Sequence, residues 1–198
     1  KELGLKKDEF NLLSALIAYY FKQNQSNKLK EVETRMLTIS DELKDKSLEA
    51  RTFKDFGQVN IGINNEIFLS YYEKALPIYK ELKDKENEKY ITMMLGLGYG
   101  TTGEYEKTRV YLEQYAEIVK ELGEKGNWNA FQFLGMAYDA LELSDKALAN
   151  FEKALDLAKT IKDNRFSEGE ILYNLGSFYS KKRQFDKAKT LIEDSLQI

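Results

Sequence analysis

A Leu-Gly pair with a Tyr three residues after the Gly occurs three times in this chain. The copies are Leu95-Gly96 with Tyr99, Leu134-Gly135 with Tyr138, and Leu175-Gly176 with Tyr179. Their glycines stand 39 and 41 residues apart. A recurrence at about that period means stacked helical units, none of which can bury its apolar face alone. Arrays of this kind expose long surfaces, so they bind more often than they catalyse.

The fourth unit is the clearest. Phe131, Leu134, Gly135 and Tyr138 fall at helical spacing and give one apolar face. After a break at Leu141–Leu143, Ser144 offers an N-cap, and Ala147, Phe151, Ala154 and Leu155 form the stripe of a second helix. Small residues at Gly135 and Ala147 let two helices approach while large neighbours fill the space beside them. The layout returns with Leu172, Leu175, Gly176, Tyr179, Phe185, Ala188, Ile192 and Ser195, and earlier with Leu95, Gly96, Tyr99, Tyr105, Thr108, Leu112 and Tyr115.

These residues resemble the tetratricopeptide repeat, a helix-turn-helix unit with an aromatic-x-x-Leu-Gly-x-x-Tyr stretch followed by Ala and Phe positions. The long period is similar to that of kinesin light chains, cell-polarity adaptors and bacterial quorum-sensing peptide receptors. The resemblance implies an all-α fold, an α-α superhelix of about five antiparallel helix pairs. It predicts a single array over 1–198, with degenerate repeats over 1–46 and 47–86 and well-formed repeats over 87–126, 127–166 and 167–198. In the second unit Phe56 takes the Gly place, with Tyr72 and Ala75 in the following helix. In the first, Phe10, Leu13, Ser14 and Ile17 open the unit, and Val32, Met36 and Ile39 close it after a longer gap. Joints fall at Gly103, at Gly123 and Gly126, and at the polar stretches 84–87 and 162–164. Pro77 lies inside a predicted helix and should bend it, while Gly57 and Gly62 weaken the end of the helix before.

The resemblance also implies that the first helix of each pair lines a concave face. Residues outside the Leu-Gly-Tyr stripe then point into it: Tyr90, Met93, Met94 and Leu97; Asn129, Gln132, Phe133, Met136 and Asp139; Glu170, Tyr173, Asn174 and Ser177; and, in the second unit, Phe53, Lys54, Gly57 and Asn60. That face is apolar and neutral with amides at its edges. Methionines repack around a guest, and Asn and Gln bond both groups of a peptide backbone. A neutral to apolar protein or peptide segment is the expected partner. The opposing reading makes Met93, Met94 and Leu97 core residues covered by a neighbouring helix. Family members that grip acidic chaperone tails use a Lys, Arg and Asn clamp. Here only Lys54, Lys181 and Asn174 are available, opposed by Asp139 and Glu170, so that partner is not expected.

Thirty basic and 33 acidic residues are mixed along the chain, which argues against a nucleic-acid surface. His and Cys are absent, removing the commonest general base, the strongest nucleophile and thiolate metal ligands. No enzyme, cofactor or metal site is expected, nor a membrane span, and a cysteine-free chain suits the cytoplasm. An output domain of a larger regulator could lie outside these residues. A second class of function, assembly by self-association, rests on Leu191, Ile192, Leu196 and Ile198. These run to the end with no polar capping helix and suggest a homodimer through the C-terminal helix.

Overall fold

The computed structural model describes residues 2–125, 127–161 and 165–198. Ten helices follow one another among them: α1 (Glu2–Lys22), α2 (Ser26–Leu43), α3 (Lys46–Gln58), α4 (Asn65–Glu81), α5 (Lys85–Thr102), α6 (Tyr105–Glu121), α7 (Trp128–Ala140), α8 (Ser144–Lys159), α9 (Arg165–Lys181) and α10 (Phe185–Gln197). This is the all-α class expected from the repeat. The helices fall into two compact units, residues 1–95 and 96–198, with the division inside α5.

Local chemistry decides where helices start. The Asp45 carboxylate accepts the Ser47 N–H at 3.1 Å, Asp84 accepts that of Asn87 at 3.1 Å, Asn64 accepts that of Ile67 at 3.0 Å, and Asn127 accepts that of Asn129 at 2.8 Å. Each satisfies an N–H that a helix start leaves open. Asn64→Ala is therefore expected to lower stability by about 1 kcal/mol, read from the urea midpoint. Ser144 does not cap: it is the first helical residue of α8, and Leu143 holds the cap position without a side-chain bond. The turn is tighter than expected because Glu142 takes a left-handed conformation, φ 61°.

The repeated Tyr also ends its helix, through its backbone. The carbonyls of Tyr99, Tyr138 and Tyr179 accept the N–H of Glu104, Leu143 and Gln184 at 3.0, 2.8 and 2.9 Å. These six-to-one bonds close the last turn and send the chain back for the second helix. Gly103 and Gly123 sit at φ 79° and 70°, as joints require. The joints expected at Gly126 and at 162–164 lie outside the described residues. Pro77 stands on the exposed side of α4, which runs unbroken past it.

In unit 1, Phe10 and Ile17 of α1 meet Val32, Met36 and Ile39 of α2 and Phe56 of α3 in one buried cluster. One correction to the sequence register follows from this unit. Gly57, not Phe56, occupies the Gly place: a Cβ there would run into the ring of Tyr72. Phe56-Gly57 is thus the Leu-Gly pair of this repeat, 39 residues before Leu95-Gly96. In unit 2 the same close approach sets Gly96 against Leu112, Gly135 against Phe151, and Gly176 against Ile192. Each second helix there receives the next first helix, α6 with α7 and α8 with α9.

A candidate binding face on the first helices

With Gly57 in its place, each first helix has one numbering, counted from its Gly position (Ser14 in α1). In unit 1 this changes what α3 contributes. Phe53, four residues before the Gly, shares the place of the buried Phe131 and Leu172, and its ring lies 6.4 Å from that of Tyr71. Asn60 holds the Tyr place and is 7% exposed. Its amide donates to the Phe56 carbonyl at 2.8 Å, and its own carbonyl accepts the N–H groups of Ile63 and Asn64 at 3.0 Å. Both residues serve the fold, Asn60 by closing α3.

The places on α3 that match the candidate face are Arg51, Lys54, Asp55 and Gln58. Three of them are engaged with side chains on other helices. Arg51 donates to Asn11 at 2.9 Å, Ser14 donates to Asp55 at 2.6 Å, and Lys54 donates to Asn87 at 2.9 Å. Sequence reasoning missed Asn11, Arg51 and Asp55; stepping back 39 residues from Gly96 gives Arg51 and Asp55, and stepping back three from Ser14 gives Asn11. Also in unit 1, Tyr90 is half-buried with its hydroxyl 3.4 Å from that of Tyr72, and Met93 and Met94 are half-buried.

In unit 2 the corresponding side lies on α7 and α9. Gln132 of α7 is 1% exposed, and its amide nitrogen donates to the Glu170 carboxylate of α9 at 3.1 Å. Two turns on, Lys181 of α9 donates to Asp139 of α7 at 2.7 Å. These two links lace α7 to α9 and leave Phe133, Met136, Asn174 and Ser177 half-buried between them, beside Tyr173 with 57% of its surface exposed. Phe133 lies over Gly100, where a Cβ would come 2.5 Å from its ring. Leu97 and Asn129 are half-buried, and the Asn129 backbone N–H is held by the Asn127 cap. Asp139 and Glu170 do not form a carboxylate dyad, since each faces its own partner. Lys181, a candidate clamp residue, is tied to Asp139.

One group in this region lacks a partner. The Gln132 side-chain oxygen is buried and accepts no hydrogen bond. Its orientation is set, because turning the amide over would point that oxygen at the Glu170 carboxylate. Behind the face, the Tyr138 hydroxyl donates to Glu113, which Arg109 holds at 2.8 Å. Burial, and then that carboxylate, push the Tyr138 pKa well above the ordinary tyrosine value. It stays a donor at any working pH and supports α7 from the α6 side.

Residues 129–161 and 169–198 each match the model of the tetratricopeptide repeat. Those two stretches of the chain are tetratricopeptide repeats. Solved structures carry the same fold over nearly all of it. BtubC (BKLC) of P. vanneervenii shares 19% identity with a TM-score of 0.76, covering 98% of this chain and 80% of that one. A putative kinesin light chain of Podosopora anserina, with nearly identical TPR-like repeats, shares 16% at a TM-score of 0.70, covering 96% and 94%. A Rap protein complexed with competence and sporulation factor shares 17% at 0.63; the match covers 96% of this chain and 53% of the Rap chain, about half its length. At these identities the likeness speaks for the fold. No curated protein sequence matches. Among the described residues, no cluster of three His, Cys, Asp or Glu could hold a metal ion, and no helix is long and apolar enough to cross a membrane.

Proposed function

We propose that this chain is a non-catalytic binding module that takes an extended, neutral peptide segment across α7 and α9. The unpaired Gln132 oxygen carries the reading. A buried amide oxygen without a donor costs about 1–3 kcal/mol, and a Met of similar shape would avoid that cost. A backbone N–H from an extended segment would satisfy it, once side chains over the amide give way. Phe133, Met136 and Tyr173 supply an adaptable apolar floor for the guest's side chains, and Asn174 a second amide for its backbone. With Lys181 and Glu170 tied to partners on α7, little net charge is left to select a charged guest. A Rap protein that shares this fold over about half its length is complexed with competence and sporulation factor, which supports the reading, and this chain is proposed to act as the sensing part of a larger regulator.

Titration with a library of short, capped, neutral peptides tests it. At least one peptide should bind the parent chain. For such a peptide Gln132→Met should weaken binding roughly tenfold while leaving thermal stability equal or raised. Phe133→Glu should abolish binding. A library without a binder, or equal affinity for parent and Gln132→Met, would overturn the proposal.

A further inference from the structure

The second repeat departs from its neighbours at the end of its first helix. Tyr99, Tyr138 and Tyr179 stand three residues after the glycines of α5, α7 and α9, and each ring is engaged. Tyr99 stacks on Tyr111 with centroids 5.6 Å apart, the Tyr138 hydroxyl donates to Glu113, and Tyr179 meets Phe178 at 5.4 Å. In the second repeat that place belongs to Asn60, which has no ring. Helix length changes at the same point. Helix α3 ends at Gln58, one residue past Gly57, whereas α5, α7 and α9 run to Thr102, Ala140 and Lys181, six, five and five residues past Gly96, Gly135 and Gly176. A missing ring and a missing turn leave space. A cavity of about 390 Å³ lies there, between the α1–α2 and α3–α4 hairpins.

Phe21, Phe56 and Tyr71 give this cavity aromatic walls, and Leu29, Val59 and Ile67 aliphatic ones. The polar groups inside it are acceptors. Asn60 is more than nine-tenths buried, and its amide nitrogen is spent on the Phe56 carbonyl at 2.8 Å. That bond fixes the amide, because turning it over would set two oxygens against each other. The Asn60 side-chain oxygen accepts no hydrogen bond among the described residues. The Glu33 carboxylate, against the Tyr71 hydroxyl, is a second acceptor, while the donors Ser26 and Lys30 are exposed. We propose that the cavity is a ligand site for an aromatic ring bearing an N–H or O–H donor, an indole or a phenol, in the space where the other repeats keep their Tyr. The guest ring packs edge to face or offset on the aromatic walls, and its donor bonds the Asn60 oxygen. Room is ample, since an apolar cavity of roughly 150 Å³ already takes up benzene. A guest of equal size without a donor leaves that oxygen unpaired and binds less well.

Isothermal titration calorimetry of the 198-residue chain tests it with indole and N-methylindole, which share a ring system and differ in the N–H donor. Indole should bind, and N-methylindole about tenfold more weakly. Asn60→Leu removes the acceptor and should erase that preference. Asn60→Tyr restores the ring of the other repeats, so it should bind neither compound and melt at a higher temperature. Circular dichroism checks that both variants keep their helical content. N-acetyltryptophanamide separates two sources of such a ring. Affinity equal to that of indole places a partner's Trp side chain in the cavity, and no binding restricts the site to free indoles and phenols. Phe133→Glu should bind indole as the parent does, so this proposal and the peptide reading at α7–α9 can fail independently. A parent that does not bind indole, or that binds both compounds equally, would overturn the proposal. So would a folded Asn60→Leu variant that keeps the preference, or loss of indole binding in Phe133→Glu.

Discussion

Phe151→Ala is expected to destabilise unit 2 by about 4–5 kcal/mol, near the top of the range for core aromatic truncation. The cost depends on how far neighbours collapse into the space left behind, and here little can. The buried face of α8 is otherwise Ala147, Ala154 and Ala158. On the α7 side the ring lies over Gly135, where a Cβ would come 2.8 Å from it. On the α9 side it meets Phe178 edge to face. One side chain thus joins three helices, with no larger side chain on α8 or at Gly135 to replace it. Urea unfolding followed by the fluorescence of Trp128, the single tryptophan, should show the midpoint falling accordingly. A second substitution checks the cause. Gly135→Ala should destabilise the parent, because the added methyl strikes the ring, yet stabilise the Phe151→Ala background, where the methyl enters vacated volume. Additive effects would mean that Gly135 and Phe151 do not share this contact.

Helix order and the hairpin layout were legible in the sequence because they rest on short-range signals that repeat. Leu-Gly-x-x-Tyr recurs intact in α5, α7 and α9, and each Tyr marks its helix end by a backbone bond that any residue could make but that only this register places. In the second unit the Gly place falls one residue after Phe56, at Gly57, a residue that helix propensity alone marks as weakening the helix. Space, not helix propensity, explains that glycine, and space is visible only once Tyr72 is seen above it. That single step moves Phe53 and Asn60 to other places of the repeat and brings Arg51 and Asp55 onto the candidate side beside Lys54, which both registers select. The candidate face was harder still. Spacing selects which residues of α7 and α9 share a side, but not which of them spend their polar groups on each other. Gln132 with Glu170 and Asp139 with Lys181 are 38 and 42 residues apart in sequence, and nothing in either helix alone announces the pairing.

Gly57→Ala separates two forces that act in opposite directions at one position. By helix propensity alone the change should stabilise α3 by up to about 1 kcal/mol. The structure predicts the opposite sign. Tyr72 is fully buried and cannot swing aside: its ring packs edge to face on Phe68 at 4.8 Å, and its hydroxyl lies 3.4 Å from that of Tyr90. Forcing a methyl against a fixed ring costs about 1–3 kcal/mol, which outweighs the propensity gain. The expected result is a net loss of about 1–2 kcal/mol and a fall in Tm of roughly 2–4 °C for each kcal/mol. Gly4→Ala in α1 is the matched control. It adds the same methyl to a helix, but nothing lies within 4 Å of the new atom, so it should be neutral or slightly stabilising. Hydrogen exchange should quicken along α3 and α4 in the Gly57 variant and stay unchanged in the control. If both variants were equally stabilised, propensity would govern Gly57, and its assignment to the Gly place of the repeat would be wrong.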